Sequence, residues 1–200
     1  MRVMSNLGPL RHFVTEFTRR VDASAGASEA AVIVPGRTLL QELIRSEDWL
    51  PEPFARPDPA RYRQYLLHCD PLQRFSVVSF VWDAGQTTPI HNHTVWGLIG
   101  VLRGAELSTR YTQLDGAAGL EAAGTERLER GQVDAVSPTL GDIHQVSNAY
   151  ADGVSISIHV YGANIGAVRR ASFEPASGAR REFISGYSSD VTPNLWDLST

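Results

Sequence analysis

The chain has 200 residues, 42% of them hydrophobic and 20% charged, which suits one soluble globular domain with a real core. A net charge of −4 leaves no basic footprint for nucleic acid or an anionic membrane, so neither is expected as a partner. All 18 basic residues are arginine and are scattered, and Cys69 is the only cysteine, which excludes an internal disulfide.

Taken in order, the start carries no apolar leader segment, and no apolar run approaches a membrane span, so a cytoplasmic location is expected. Leu10, Phe13, Val14, Phe17 and Val21 recur at helical spacing and predict an amphipathic helix over residues 9–21. Residues 22–31 are small and polar and read as a loop. Leu39, Leu40, Leu43 and Ile44 mark a second helix, with the proline-containing stretch from Trp49 to Pro53 as its stop. Asp58 and Pro59 read as the cap and first position of a third helix through Cys69, with Tyr62, Tyr65, Leu66 and Cys69 on one face.

From residue 74 the period changes from 3.6 to 2. Residues 75–82 are β-branched and aromatic and predict a strand. Further strands are expected at 96–102, 106–113, 125–128, 133–136, 144–146 and 154–161. Glycine and proline punctuate them, at Asp115-Gly116, Gly119, Gly124, Gly131, Pro138 and Gly141. Many short strands with such turns predict a small barrel or sandwich. Phe173, Phe183, Ile184 and Tyr187 are expected to pack the tail back on the barrel. The plan is one domain over residues 1–200, helical over 1–72 and β over 73–200.

His91 and His93 stand two residues apart, so on a strand both imidazoles project from one face and can share one ion. The remaining histidines are His12, His68, His144 and His159. His12 and His68 fall on predicted helices outside the β body, and His144 follows a turn that can carry it across a barrel to face the pair. Ser157, His159 and Tyr161 alternate with Ile158 and Val160 and so share a strand face, where polar groups need a cavity or one another.

Two segments carry a family resemblance. Gly85, five residues, then His91-Asn92-His93, with Gly104 closing the strand pair, resembles the first cupin motif. Pro138 through His144, with Asn148 four residues later, resembles a slightly stretched second motif. The usual glutamate ligand of the first motif falls at Gly97, leaving three histidines, His91, His93 and His144. With the helical N-terminal third, this resembles the thiol dioxygenases, the cysteine dioxygenase family. Ser157-Ile158-His159-Val160-Tyr161 matches that family's Ser-x-His-x-Tyr relay.

The resemblance implies a cupin fold, a double-stranded β-helix or jelly-roll barrel with N-terminal α-helices. It also implies Fe(II) at the three histidines, with O2 and a small thiol carboxylate as reactants. Gln64 stands where the cysteine-specific enzymes carry an arginine, and glutamine there is characteristic of the bacterial 3-mercaptopropionate dioxygenases. The carboxylate-binding arginine of those enzymes falls at Arg170, acting directly or through Tyr62 or water, while Gln64 shapes the pocket. Arg169 is the candidate second cation were the substrate mercaptosuccinate, and cysteine is the other rival. Animal enzymes place a cross-linking cysteine where Gly97 stands, so Tyr161 is expected to be unmodified. A non-catalytic metal-binding cupin that takes a small acid is the rival of another class.

Overall fold

The computed structural model describes residues 6–113 and 119–197. The turn expected at Asp115-Gly116 lies outside these residues. Two helices come first, α1 (Gly8–Ala23) and α2 (Glu29–Leu43). Leu10, Phe13 and Phe17 form the buried stripe of α1, as their spacing requires. The second helix begins inside the stretch expected to be loop and runs through Pro35. It ends at Leu43, ahead of the proline stop, and buries Val32, Ile33, Leu40 and Leu43.

Eleven strands follow among the described residues: β1 (Arg63–Cys69), β2 (Ser76–Trp82), β3 (Ile90–His91), β4 (Gly97–Arg103), β5 (Ala105–Gln113), β6 (Leu120–Glu129), β7 (Val133–Val136), β8 (His144–Asn148), β9 (Ser155–Tyr161), β10 (Arg170–Phe173) and β11 (Arg180–Phe183). They form two antiparallel sheets, ordered β1-β2-β9-β4-β7 and β11-β10-β3-β8-β5-β6. From β2 to β5, and again from β7 to β10, each connection carries the chain from one sheet to the other. That alternation makes a double-stranded β-helix, a mainly β cupin architecture with helices at its N-terminal side. Among the described residues, no helix is long and apolar enough to cross a membrane.

The expected third helix is instead the edge strand β1, so the helical part ends well before residue 72. Tyr65 and Leu67 are its buried positions, a period of 2, and it pairs with β2 from Arg63↔Val81 to Cys69↔Ser76. The Asp58-Pro59 pair marks a turn, with the Ala60 N–H donating to Asp58 Oδ1 at 2.8 Å. Tyr, Leu and Cys suit either state, and the hairpin pairing with β2 decides between them. His68 therefore lies in the β body, on its edge strand.

The first sheet has two buried faces. Its outer face, with Val77, Leu98, Ile156, Ile158 and Val160, packs under α1 and α2 together with Phe13, Phe17, Leu40, Trp49 and Phe54. Its inner face holds Val78, Phe80, Trp82 and Tyr161, joined by Val146 of the second sheet and Ile165. In the tail, β10 joins the second sheet beside β3, and Tyr187 packs on the inner cluster. Ile184 is 53% exposed and does not contribute to the expected packing.

Candidate metal centre

Register brings the three histidines together. His91 on β3 pairs directly with His144 on β8, and side chains of directly paired residues project to the same side. His93 follows in the next turn, two residues on. The three ring centroids form a triangle with 4.9 Å between every pair. One ligand atom from each lies within 4.8 Å of the other two, and all three residues are buried. His68 and His12 take no part.

The outward nitrogens fix the ring orientations. His91 Nδ1 faces the Pro89 carbonyl at 3.0 Å, which can only accept, so Nδ1 carries the proton. His93 Nδ1 faces the Asp142 carboxylate at 3.0 Å, with the same consequence. His144 Nδ1 faces the Ser108 hydroxyl at 3.3 Å. The Nε2 atoms of His91 and His93 are thus left with lone pairs, the Ser108 hydroxyl can serve either tautomer of His144, and His93 Nε2 is buried with no hydrogen-bond partner. Burial first, and then the neighbouring imidazoles, hold His91 and His144 well below the ordinary histidine pKa, so both rings are neutral. Burial also lowers His93, against the opposing pull of Asp142. Three converging imidazoles, two of them with the Nε2 lone pair fixed, and an orphaned nitrogen fit a divalent cation: the site could hold a metal ion.

Asp142 is the residue that sequence reasoning passed over, although it stands two positions before His144. It accepts from the His93 backbone N–H at 3.0 Å and from Thr94 N–H at 2.8 Å, as well as from the His93 ring. Thr94 has φ 62, a left-handed conformation that costs a β-branched residue energy. The carboxylate holds that turn and so aims His93. Asn92 points away from the centre, as its position between the two histidines requires. Its Oδ1 accepts from Ala171 N–H at 2.8 Å, which ties the histidine turn to the strand bearing Arg170.

On β9, Ser157 Oγ lies 2.8 Å from His159 Nε2, and His159 Nδ1 lies 2.7 Å from the Tyr161 hydroxyl. The three expected polar groups form one continuous, buried hydrogen-bond chain. Its tyrosine end stacks on His93, 5.4 Å between ring centroids, while His159 stacks on Phe80 at 4.1 Å. Burial drives His159 well below the histidine range and raises Tyr161, so both are neutral. Gly97 pairs with Tyr161, and a Cβ there would lie 2.9 Å from the tyrosine ring. The bare glycine is what leaves room for that ring.

A cavity of about 340 Å³ opens beside His91, lined by Tyr62, Gln64, Phe80, Arg170 and Ser185 among others. Gln64 reaches it from β1, not from a helix. Arg170 is 4% exposed, donates to Ser185 Oγ at 2.6 Å and covers the Phe183 ring, while its Nε has no partner. Burial lowers its pKa and the facing tyrosines oppose that, so the guanidinium remains charged. Burial also raises Tyr62, against the pull of Arg170. Arg169 is 66% exposed and pairs with Glu182 at 3.3 Å, so it is not among the residues lining the cavity. Sequence reasoning also missed Ser185 and Glu106. Nothing local marks them: Ser185 is brought in by the tail, and Glu106 is a charged residue on a strand whose inward face shows only in three dimensions.

No family model matches the chain. Solved structures similar to it include an RmlC-like cupin protein from Desulfovibrio desulfuricans, 24% identical over 54% of this chain and 89% of that one, with a TM-score of 0.40. A double-stranded β-helix protein from Klebsiella pneumoniae is 20% identical over 57% and 89%, with a TM-score of 0.42. Oxalate oxidase in complex with the substrate analogue glycolate is 18% identical over 55% of each chain, with a TM-score of 0.43. The chain's own strand order and histidine geometry define the class: a cupin with a three-histidine site that could hold a metal ion.

Proposed function

We propose that the chain is a non-haem Fe(II) thiol dioxygenase that converts 3-mercaptopropionate and O2 to 3-sulfinopropionate. One observation carries this reading. A three-histidine face, with no carboxylate in the ligand group, adjoins both a Ser157–His159–Tyr161 hydrogen-bond chain and a cavity with one buried guanidinium. When bound, Fe(II) supplies a Lewis acid that favours the thiolate and a redox-active centre where thiolate and O2 can meet.

The protein's own groups do the rest. His91, His93 and His144 hold the ion as neutral ligands, so its full charge remains available to anions. Arg170, with an unpartnered Nε and a nearby Tyr62, attracts the carboxylate and orients the thiol inward. Gln64 puts a neutral amide, not a cation, on the β1 wall of the cavity. Tyr161 offers a hydrogen bond at the reacting end, steadied by His159 and Ser157. The Phe80 ring in the cavity wall keeps water from the sulfur while it gains both oxygen atoms. The balance is RSH + O2 → RSO2H, with sulfur giving up the four electrons that O2 takes.

Anaerobic loading with Fe(II), followed by air and O2-uptake measurements on 3-mercaptopropionate, cysteine and mercaptosuccinate, tests the reading. Thiol-dependent uptake, with the highest kcat/KM for 3-mercaptopropionate, is expected. No uptake with any thiol would replace the dioxygenase with a non-catalytic metal-binding cupin. A preference for cysteine or mercaptosuccinate would keep the chemistry and overturn the substrate.

A further inference from the structure

Ser185 lies outside every strand, in the tail that follows β11, yet it takes the one hydrogen bond that the Arg170 guanidinium makes among the described residues. Its Oγ accepts from Arg170 Nη2 at 2.6 Å and donates to the Gly186 carbonyl at 3.3 Å. A carbonyl can only accept, so the hydroxyl proton is committed there and a lone pair is turned to the guanidinium. The neighbouring tail residues hold that hydroxyl in place. Gly186, at φ 63, turns the chain in a conformation open to glycine, and its N–H donates to the Gly166 carbonyl at 3.0 Å. The Tyr187 hydroxyl donates to Asn164 Oδ1 at 2.6 Å and accepts from the Gly166 N–H at 3.0 Å. Ser188 is tied to β1 twice, by its N–H to the Gln64 carbonyl at 2.8 Å and by its Oγ, which accepts from the Gln64 N–H at 2.9 Å. The tail is thus braced against β1 and against the turn that follows β9.

The guanidinium is also held on one face. Register places Arg170 opposite Phe183, and Arg170 Cζ lies 4.9 Å from the centroid of that ring. Arg170 is 4% exposed and its Nε is buried with no partner. A guanidinium kept for architecture finds acceptors for its N–H groups. This one has a single neutral hydroxyl and no ion pair among the described residues, and it lines the cavity beside His91.

We propose that Ser185 is a positioning residue that fixes the guanidinium plane of Arg170, so that its remaining N–H groups receive a planar carboxylate, and thereby sets how tightly the cavity holds a small carboxylate. A neutral hydroxyl is the group such a role needs. A carboxylate in its place would neutralise Arg170 and compete with the ligand, and an apolar side chain would leave the guanidinium free to turn, at a cost in ordering when the ligand binds.

The assignment deepens the proposed dioxygenase and rests on that reading for its carboxylate substrate, but its first test needs neither metal nor O2. ¹⁵N NMR of the metal-free protein follows the Arg170 Nε–H resonance, identified by its absence in Arg170→Lys, while propionate or its neutral isostere propionamide is added. Propionate should shift the resonance and propionamide should not. Ser185→Ala should weaken propionate binding roughly tenfold, whereas Ser185→Thr, which keeps the hydroxyl, should bind within about twofold of wild type. In the iron-loaded enzyme, Ser185→Ala should raise the KM for 3-mercaptopropionate roughly tenfold and keep kcat within about twofold, since the contact is made alike before and during reaction. Propionate binding unchanged in Ser185→Ala, equal weakening in Ser185→Thr, or a propionamide response equal to that of propionate would each overturn the proposal. If propionate binding follows Ser185 as described but no thiol is oxidised, the Ser185 assignment stands and the dioxygenase reading fails. If thiols are oxidised with a KM indifferent to Ser185→Ala, the reading stands and the assignment fails.

Discussion

The two faces of β9 are equally buried and chemically opposite. Ile156, Ile158 and Val160 point into the helix-covered core, and Ser157, His159 and Tyr161 point into the barrel. Exposure cannot tell them apart, since every residue of the strand is buried. Hydrogen-bond accounting can. The outer face contributes area removed from water, whereas the inner face spends burial on groups that must satisfy one another and end beside three histidines. A strand that only stabilised the barrel would be apolar on both sides.

The comparison can be broken at several points. The largest effect belongs to the ligands. His93→Ala should leave no stoichiometric metal after dialysis against a weak chelator, measured by atomic emission, and activity should fall to background. Next comes the inner face. Tyr161→Phe should retain metal and lose about 10²-fold in kcat, the scale of a positioned proton donor. An unchanged rate would make this face merely a second core. On the outer face, Ile158→Ala should cost about 3 kcal/mol in urea unfolding, through lost burial and the cavity left behind, while the folded fraction keeps its kcat. Loss of activity without loss of stability there would erase the distinction. Asp142→Asn should have the smallest effect, weakening metal affinity about tenfold. It replaces an acceptor that serves the His93 ring and two backbone N–H groups with an amide able to serve only some of them.

The mainly β fold with N-terminal helices was legible in the sequence, and of the site the sequence carried two strand-face patterns. His91-x-His93 and Ser157-x-His159-x-Tyr161 are period-2 patterns, and a period-2 pattern fixes a shared face once the segment is a strand. The stretch at residues 61–69 failed because its apolar residues satisfy helical and strand spacing alike, and pairing with β2 chose the strand. Arg169 and Arg170 could not be separated by type or by neighbours. Arg170 opens β10 and enters the cavity, whereas Arg169, just before the strand, lies in solvent beside Glu182. Glu106 carried no local signal, because its inward face depends on how β5 sits between β6 and β8.

By itself, the sequence determined the buried stripe of α1, the strand β2, the paired histidines and the polar stripe on β9, all of which are short-range consequences of backbone geometry. The tertiary structure alone decided that His144 stands opposite His91, that Asp142 aims His93, that Arg170 rather than Arg169 enters the cavity, and that Glu106 lies buried against Ser155. Each of those is a contact between strands far apart in the chain, fixed by register and sheet order, and local residue preferences do not encode them.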